Sequence, residues 1–309
     1  MSAIAQAGGV TGSERPRRPF FSFGRRRKLI AYGLLAPGLA WLLVFFVVPM
    51  GYLGYMSLQS GSYPSFSFAW AWHNYSDAIT AFHTQFLRSI EYAGIATAIA
   101  LLISYPLAYW IAFRGGRWKN LFLLLVIAPF FVTYLIRTLA WETILADDGW
   151  VVSILHTLHI LGPNGRILAT SGAVIAGITY NFMPFMVLPL YVSLEQIDPR
   201  LLEAAKDLYA SSRMAFLRVA LPLSLPGVFA GTLLTFIPAC GDFINAQLLG
   251  TPQQYMIGNV IQSQFLVINN YPEAAALSFV LMAAIMLAVI VYARLLGTDR
   301  LMGAAAAAA

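Results

Sequence analysis

Charge is what this sequence has least of. Asp, Glu, Lys and Arg make up 10% of its 309 residues, against about 25% in soluble domains. Hydrophobic residues make up 59%, and the mean hydropathy is +0.72. A soluble core inside a charged shell is excluded, and the chain reads as an integral membrane protein. Its single cysteine, Cys240, lies in an apolar run, so no intrachain disulfide can form and the redox compartment is not legible. Its three lysines are Lys28, Lys119 and Lys206, and none follows a glycine. A P-loop needs a Gly-Lys pair to wrap phosphate. Any ATP hydrolysis linked to this chain therefore takes place in another one. HExxH, GxSG and acid-rich metal clusters are missing too, which leaves an enzyme reading without a motif. His156 and His159 in HTLH share a helix face, but a metal site needs three or four ligands.

A span requires about 20 apolar residues, and six runs qualify: Leu29–Leu58, Ser89–Phe113, Leu121–Trp141, Gly172–Leu194, Gly227–Leu249 and Ala274–Leu296. The first is long and is expected to leave the bilayer near Pro49. Prolines inside spans are tolerated where neighbours satisfy the freed carbonyls. GIATAIA in the second run offers small residues for close backbone approach. Sixteen of the 19 Lys and Arg fall on one side of a six-span arrangement: the tail through Lys28, the 114–119 link, the 200–218 stretch and the end at Arg294 and Arg300. Gln59–Gln85 and Gly250–Pro272 carry none. The positive-inside rule then puts both termini in the cytoplasm. The net charge of +6 is thus a topology signal with a lesser role toward anionic lipid, and nucleic acid is excluded as a partner. A cleaved signal peptide is excluded as well, because the run after Lys28 is too long. Three parts follow: a basic tail, 1–28, expected to be disordered; a membrane domain, 29–297; and an end, 298–309, whose Gly303 and six alanines look like a cloning scar. No inverted repeat relates the halves, which weighs against an ion-driven carrier acting alone.

One stretch breaks the pattern. The loop at about 195–226 runs into LEAAKDLYASSRMAFLRVALPLSLPG, Leu202–Gly227, between two apolar blocks. Asp198-Pro199 is a helix start, with Asp as N-cap and Pro at the first position. Leu201, Ala205 and Leu208 share one face. Glu203 and Asp207 share another, where like charges are mildly unfavourable. Such paired acids point to a partner offering cations or helix N-termini, and the small Ala204 and Ala205 would let the helix sit deep in a groove. A solvated loop helix explains the same residues. The prolines of LPLSLPG end the segment and steer the chain back into the bilayer.

EAAKDLYASSRMAFLRVALPLSLPG resembles the EAA loop of ABC importer permeases: EAA, a glycine four residues on, an apolar stretch, then LP. LLAPGLAWLLVFFVVPMGYLGYMSL, PFFVTYLIRTLAW, YNFMPFMVLPLYVSLEQIDPRLLEAAKDL and FIPACGDFINAQLLG are similar to permeases of the spermidine/putrescine type, and more to the first of their two permease subunits. The resemblance covers about Leu34 to Leu296. It implies an all-α membrane protein with six transmembrane helices, the type I ABC importer permease fold, in the inner (plasma) membrane. It also implies a second permease subunit, two ATPase subunits holding ATP and Mg, an external substrate-binding protein, and no cofactor on this chain. Glu203, Ala204, Ala205, Asp207, Leu208, Tyr209 and Ala210 would form the helix that couples to the ATPase. Tyr209 departs from the pattern, standing where the family has glycine. A bulky residue disfavours positive φ, so a continued helix or a different elbow is expected there.

Ionisable groups at membrane depth each raise a functional question. A polycation crossing the bilayer needs carboxylates and aromatic faces. Asp242, Glu142, Trp141, Tyr134 and Tyr180 are residues of those types and form the candidate pathway; an interhelical hydrogen bond is the alternative role for Asp242. Glu91 is assigned to a structural pair with nearby Arg88. Arg137 is expected to pair with an acid or a carbonyl, Glu142 or a partner residue. Asp147-Asp148 either attract a basic surface or form a solvated turn with Gly149. The aromatics between Tyr63 and Tyr75 are read as an interfacial belt or as loop packing.

Overall fold

The computed structural model describes residues 23–162 and 165–296 and divides after Tyr52 into two compact units. Most of the basic tail and all of the 298–309 end lie outside the described residues. Helix α1, Phe23–Leu42, leads into a π-helical stretch, Leu43–Val47, and then α2, Val48–Ser57. The helix runs on through Pro49. Proline lacks an N–H, and its ring crowds the carbonyl four residues back, here Phe45. A turn widened to the i→i+5 pattern makes room. The same device recurs at Phe216–Ala220, just ahead of Pro222.

In the second unit a hairpin comes first. Strands β1, Gln59–Ser62, and β2, Ser65–Phe68, pair antiparallel with Gln59 opposite Phe68. Within β1, Gly61 adopts φ 121°, where a Cβ would lie 2.4 Å from the Ser65 carbonyl oxygen. The aromatics pack on one another: Tyr55 stacks on Phe68 at 5.2 Å, Phe68 meets Trp70 at 5.0 Å, and Phe66 meets Tyr271 at 5.7 Å. Asn74 Nδ2 donates to the Ser57 and Gln59 carbonyls, both at 2.9 Å, and so clamps the hairpin to α3, His73–Arg114. That helix starts well ahead of the expected Ser89 and kinks at Phe82.

The apolar runs do not all become straight spans. Helix α4, Lys119–Ile127, and a 3₁₀ turn, Ala128–Phe131, precede extended Val132 and Thr133. Helices α5, Tyr134–Leu145, and α6, Trp150–Thr157, then leave at 92°. The expected span Leu121–Trp141 is thus broken, beyond the kink that its proline implied, because Pro129 removes a donor and crowds Leu125. Helix α7, Ser171–Glu195, follows, with the Thr170 side chain accepting from Ala173 N. Helices α8, Pro199–Asp207, α9, Ser212–Ala215, and α10, Leu221–Leu223, bring the chain to α11, Leu225–Cys240. The Ser212–Leu223 segment and α11 are bent by 64°. The expected span Gly227–Leu249 also breaks, since the helix stops at Cys240 and resumes as α12, Ile244–Leu249. Helices α13, Ile257–Leu266, and α14, Tyr271–Leu296, complete the unit. Among the described residues four helices are long and apolar enough to cross a membrane, or up to six if each bent pair counts as one span.

Helices α3, α7 and α11 pack together at the centre. Ala93, Ala96, Ala100, Ser104, Ala108 and Ala112 form the buried face of α3, small residues that let backbones approach. On α11, Gly227 and Gly231 do the same against α7. A Cβ on Gly227 would lie 2.7 Å from the Pro189 carbonyl oxygen, and one on Gly231 would lie 2.8 Å from Met186 Sδ. A Lys119–Glu195 ion pair at 2.7 Å joins the start of α4 to the end of α7. It puts the basic 114–119 link and the 195–226 stretch at the same end of the unit.

Gly231→Leu is expected to destabilise the protein by about 1–3 kcal/mol through overpacking, read as a lower Tm of detergent-solubilised protein. Gly94→Ala, whose new Cβ would meet no atom within 4 Å, should stay within about 0.5 kcal/mol of the parent.

Candidate functional site

Two regions draw the chemically notable residues together: the helix end carrying α8, and a polar knot at membrane depth. The α8 region is built by capping. The Asp198 carboxylate accepts from Arg200 N at 2.9 Å, and Pro199 occupies the first turn. At the other end, Tyr209 N–H donates to the Lys206 carbonyl at 2.9 Å and Ala210 N–H to the Ala205 carbonyl at 3.0 Å. This is the two-bond Schellman closure, which requires a left-handed residue just past the helix. Tyr209 supplies it at φ 60°. The expected continued helix or different elbow is therefore corrected: the turn takes the conformation that glycine would, with tyrosine bearing the strain. The two backbone bonds and the Ser211 cap of α9, whose hydroxyl accepts from Met214 N, hold it there.

Helix α8 packs on α9 and on Phe216–Ala220 through Leu202 and Ala205, the partly covered positions. The Leu201–Leu208 side faces outward. Leu208 is 82% exposed and Tyr209 99%. Glu203, Ala204 and Asp207 are exposed, and Ala210 is half-buried. An apolar edge beside two acids is thus left uncovered on a helix whose surroundings are otherwise charged.

The polar knot lies between α5, α7 and the break after α11. Asp242 is 7% exposed. Its Oδ1 accepts from Ile244 N at 3.0 Å and Asn245 N at 3.5 Å, capping α12, and its Oδ2 accepts from Asn245 Nδ2 at 2.6 Å. Asn245 Nδ2 also donates to Tyr134 Oη at 2.6 Å. Asn181 Nδ2 donates to Asn245 Oδ1 and Thr138 Oγ1, both at 3.2 Å. From the far side, α13 braces the break. A Cβ on Gly258 would lie 2.4 Å from the Gly241 carbonyl oxygen, and Asn259 Nδ2 donates to the Phe243 carbonyl at 2.8 Å. Broken helices survive at membrane depth only with such internal partners.

Among the pathway candidates, Asp242 and Tyr134 are joined through Asn245. Trp141 and Tyr180 form an edge-to-face pair at 5.4 Å. Glu142 is half-buried and joins neither group. Neither the Arg88–Glu91 pair nor an Arg137–Glu142 pair is present. Arg88 donates to the Tyr255 carbonyl at 2.9 Å and not to Glu91, because the chain after α12 folds back over the outer half of α3. Arg137 does not reach Glu142, since a spacing of five residues places them on different helix faces. Asp147 pairs with Arg166 at 2.8 Å, both exposed, a contact worth about 0–1 kcal/mol. Asn181, Asn245 and Thr138 were overlooked as site residues. The signal available was a lone amide in each of two apolar runs, YNF and FIN.

Residues 104–298 match the family model described as binding-protein-dependent transport system inner membrane component. The chain belongs to this family. It is a multi-pass inner-membrane transport permease, and its solved neighbours are importer permeases of the same fold. It is 38% identical over 257 residues to the spermidine/putrescine transport system permease protein PotB of Haemophilus influenzae, covering 82% of this chain and 90% of that one. PotB of Escherichia coli K12 is 36% identical over 256 residues, covering 82% and 93%. A bacterial alginate ABC transporter, solved in complex with an alginate pentasaccharide-bound periplasmic protein, contains a chain with TM-score 0.65 at 18% identity. That match covers 89% of this chain and 96% of the other.

Removing Asn245 takes away one hydrogen bond each from the Tyr134 hydroxyl, Asp242 Oδ2 and Asn181 Nδ2, the last of which keeps Thr138. Asn245→Ala in this permease is expected to cost about 1–3 kcal/mol, seen as a lower Tm, while Tyr134→Phe costs less than half of that.

Proposed function

We propose that this permease forms half of the translocation path of an ATP-driven polyamine importer, shared with a second, different permease subunit. An external binding protein delivers spermidine or putrescine, and two ATPase subunits holding ATP and Mg supply the work. The observation that carries this reading is the uncovered edge of α8, Leu208 at 82% and Tyr209 at 99% exposed, in a chain similar to PotB. A large apolar side chain left bare beside a strained turn is accounted for by a protein groove that receives it. Glu203, Ala204, Ala205, Asp207, Leu208, Tyr209 and Ala210 are the docking residues. Periplasmic delivery is supported by the alginate transporter, which was captured with its periplasmic protein.

Closure of the ATPase pair on ATP would push α8. The push passes through α9 and Phe216–Ala220, against which α8 packs, to the 64° bend at the start of α11. Tyr105 Oη and Ser224 Oγ, 2.6 Å apart and buried, tie that bend to α3, so the movement is shared by the central helices. Along the path, Asp242 and Glu142 supply carboxylates. The faces of Trp141, Tyr180 and Tyr134 supply the cation–π surfaces that an ammonium chain needs once it leaves water. A second reading, a related importer for another small solute, is favoured by one observation: the buried cation Arg137, 8% exposed, is an unwelcoming neighbour for a polycation.

Glu203→Lys should leave the permease inserted at parental levels but cut ATP-driven uptake by about tenfold or more; uptake at the parental rate would contradict docking through α8. Labelled spermidine uptake should be competed by putrescine and not by a neutral sugar or a dicarboxylate. Competition by the dicarboxylate alone would favour the second reading.

A further inference from the structure

Arg137 and Asp242 are opposite charges buried in one knot, yet they are not paired. The described residues hold two ion pairs, Lys119–Glu195 and Arg166–Asp147. Arg137 is 8% exposed, and its Nε and Nη1 have no acceptor. It lies over the rings of Phe130 at 4.9 Å and Tyr134 at 5.6 Å. Tyr134 is the shared neighbour: its ring faces the guanidinium, and its hydroxyl bonds Asn245, which in turn bonds Asp242. Asn181, the next member of the network, has a buried Oδ1 without a donor. Unused donors and an unused acceptor therefore occur in the same knot.

A cation at membrane depth without a counter-charge is unfavourable, and ring faces meet only part of a guanidinium's hydrogen-bonding capacity. Both charges also sit next to breaks. Arg137 is in the first turn of α5, directly after extended Val132 and Thr133. Asp242 lies in the gap between α11 and α12. Small rotations at either break would move one charge relative to the other, whereas two residues within continuous helices would be fixed.

We propose that Arg137 is the resident counter-cation of Asp242. In one transport state the guanidinium reaches the carboxylate and discharges it; in the other it withdraws onto Phe130 and Tyr134, as in this structure, and leaves the carboxylate to an ammonium group of the cargo. Arg137 thus displaces cargo from Asp242 and sets the direction of release. No bond is made or broken. The identity of the competing ammonium rests on the polyamine reading above; the pairing of the two side chains does not.

The test is a double-mutant cycle in the assembled importer, reconstituted with its ATPase and binding protein, with labelled spermidine as probe. Asp242→Asn should raise KM. Arg137→Gln should lower turnover about tenfold without raising KM, because cargo is no longer displaced, while Arg137→Lys keeps most of the rate. Arg137→Gln combined with Asp242→Asn should recover turnover about fivefold over Arg137→Gln alone, since neither charge is then stranded. Losses that simply multiply, or Arg137→Lys as impaired as Arg137→Gln, would overturn the proposal. The same cycle is read on the Tm of the solubilised complex with and without a non-hydrolysable ATP analogue. Non-additive Tm shifts that differ between the two conditions support the pair even if the parent does not take up spermidine, an outcome that would sink the polyamine reading by itself. Additive shifts in both conditions overturn the pair.

Discussion

The controlling constraint is that a backbone group freed inside a bilayer has no water to turn to. Several helix breaks and proline sites among the described residues coincide with a local arrangement that answers the constraint. At Ser224 the answer is its own hydroxyl, which donates to the Leu221 carbonyl at 3.1 Å and is held by Tyr105. After Cys240 it is Asn259 reaching the Phe243 carbonyl, Gly258 pressed on Gly241, and Asp242 capping α12. Ahead of Pro49 and Pro222 it is a π-helical turn that relieves the clash without breaking the helix. Once the breaks are braced, they become usable as joints.

The two candidate regions follow from that constraint by different routes. Helix α8 lies at the basic end with 114–119, so its caps need only satisfy a short helix. Its oddity is a tyrosine held at positive φ by two backbone bonds, a strain of the kind that functional sites retain. The Asp242 knot lies among the core helices, where each interhelical hydrogen bond contributes on average about 0.6 kcal/mol and an unmatched group costs more. In that knot Asp242 accepts three hydrogen bonds while Arg137 and Asn181 keep unused groups, so it is not maximally stable.

Much of this was legible beforehand. The six apolar runs, the basic side, the Asp198-Pro199 helix start and the acidic character of α8 can be read from local composition, because each depends on residues close in sequence. Pro129, Pro238 and Gly241 marked loosened positions, but not that the helices stop at 132–133 and 241–243. Hydropathy averages over Pro129 and Gly241 and is blind to which neighbour accepts a freed carbonyl. Arg88 finds Tyr255 and Arg166 finds Asp147 through folding back of the chain, so pairing by proximity in sequence chose Glu91 wrongly. Tyr209 was misjudged for a related reason: its intrinsic preference was visible, and the Schellman bonds that override it were not. Asn181 and Asn245 were visible as lone amides in apolar runs, but only the packing of α5, α7 and α12 shows that they meet.

The central claim is that α8 is a docking lever whose movement reaches the Asp242 knot through the bend at Ser224. Hydrogen–deuterium exchange on the assembled importer tests it most directly, compared without ATPase subunits, with them, and with them plus a non-hydrolysable ATP analogue. The account requires amides across 199–210 to slow by about tenfold or more when the ATPase is present, and amides across 241–245 to change on adding the analogue. Exchange over 199–210 that ignores the ATPase, or a 241–245 segment indifferent to nucleotide, would contradict it.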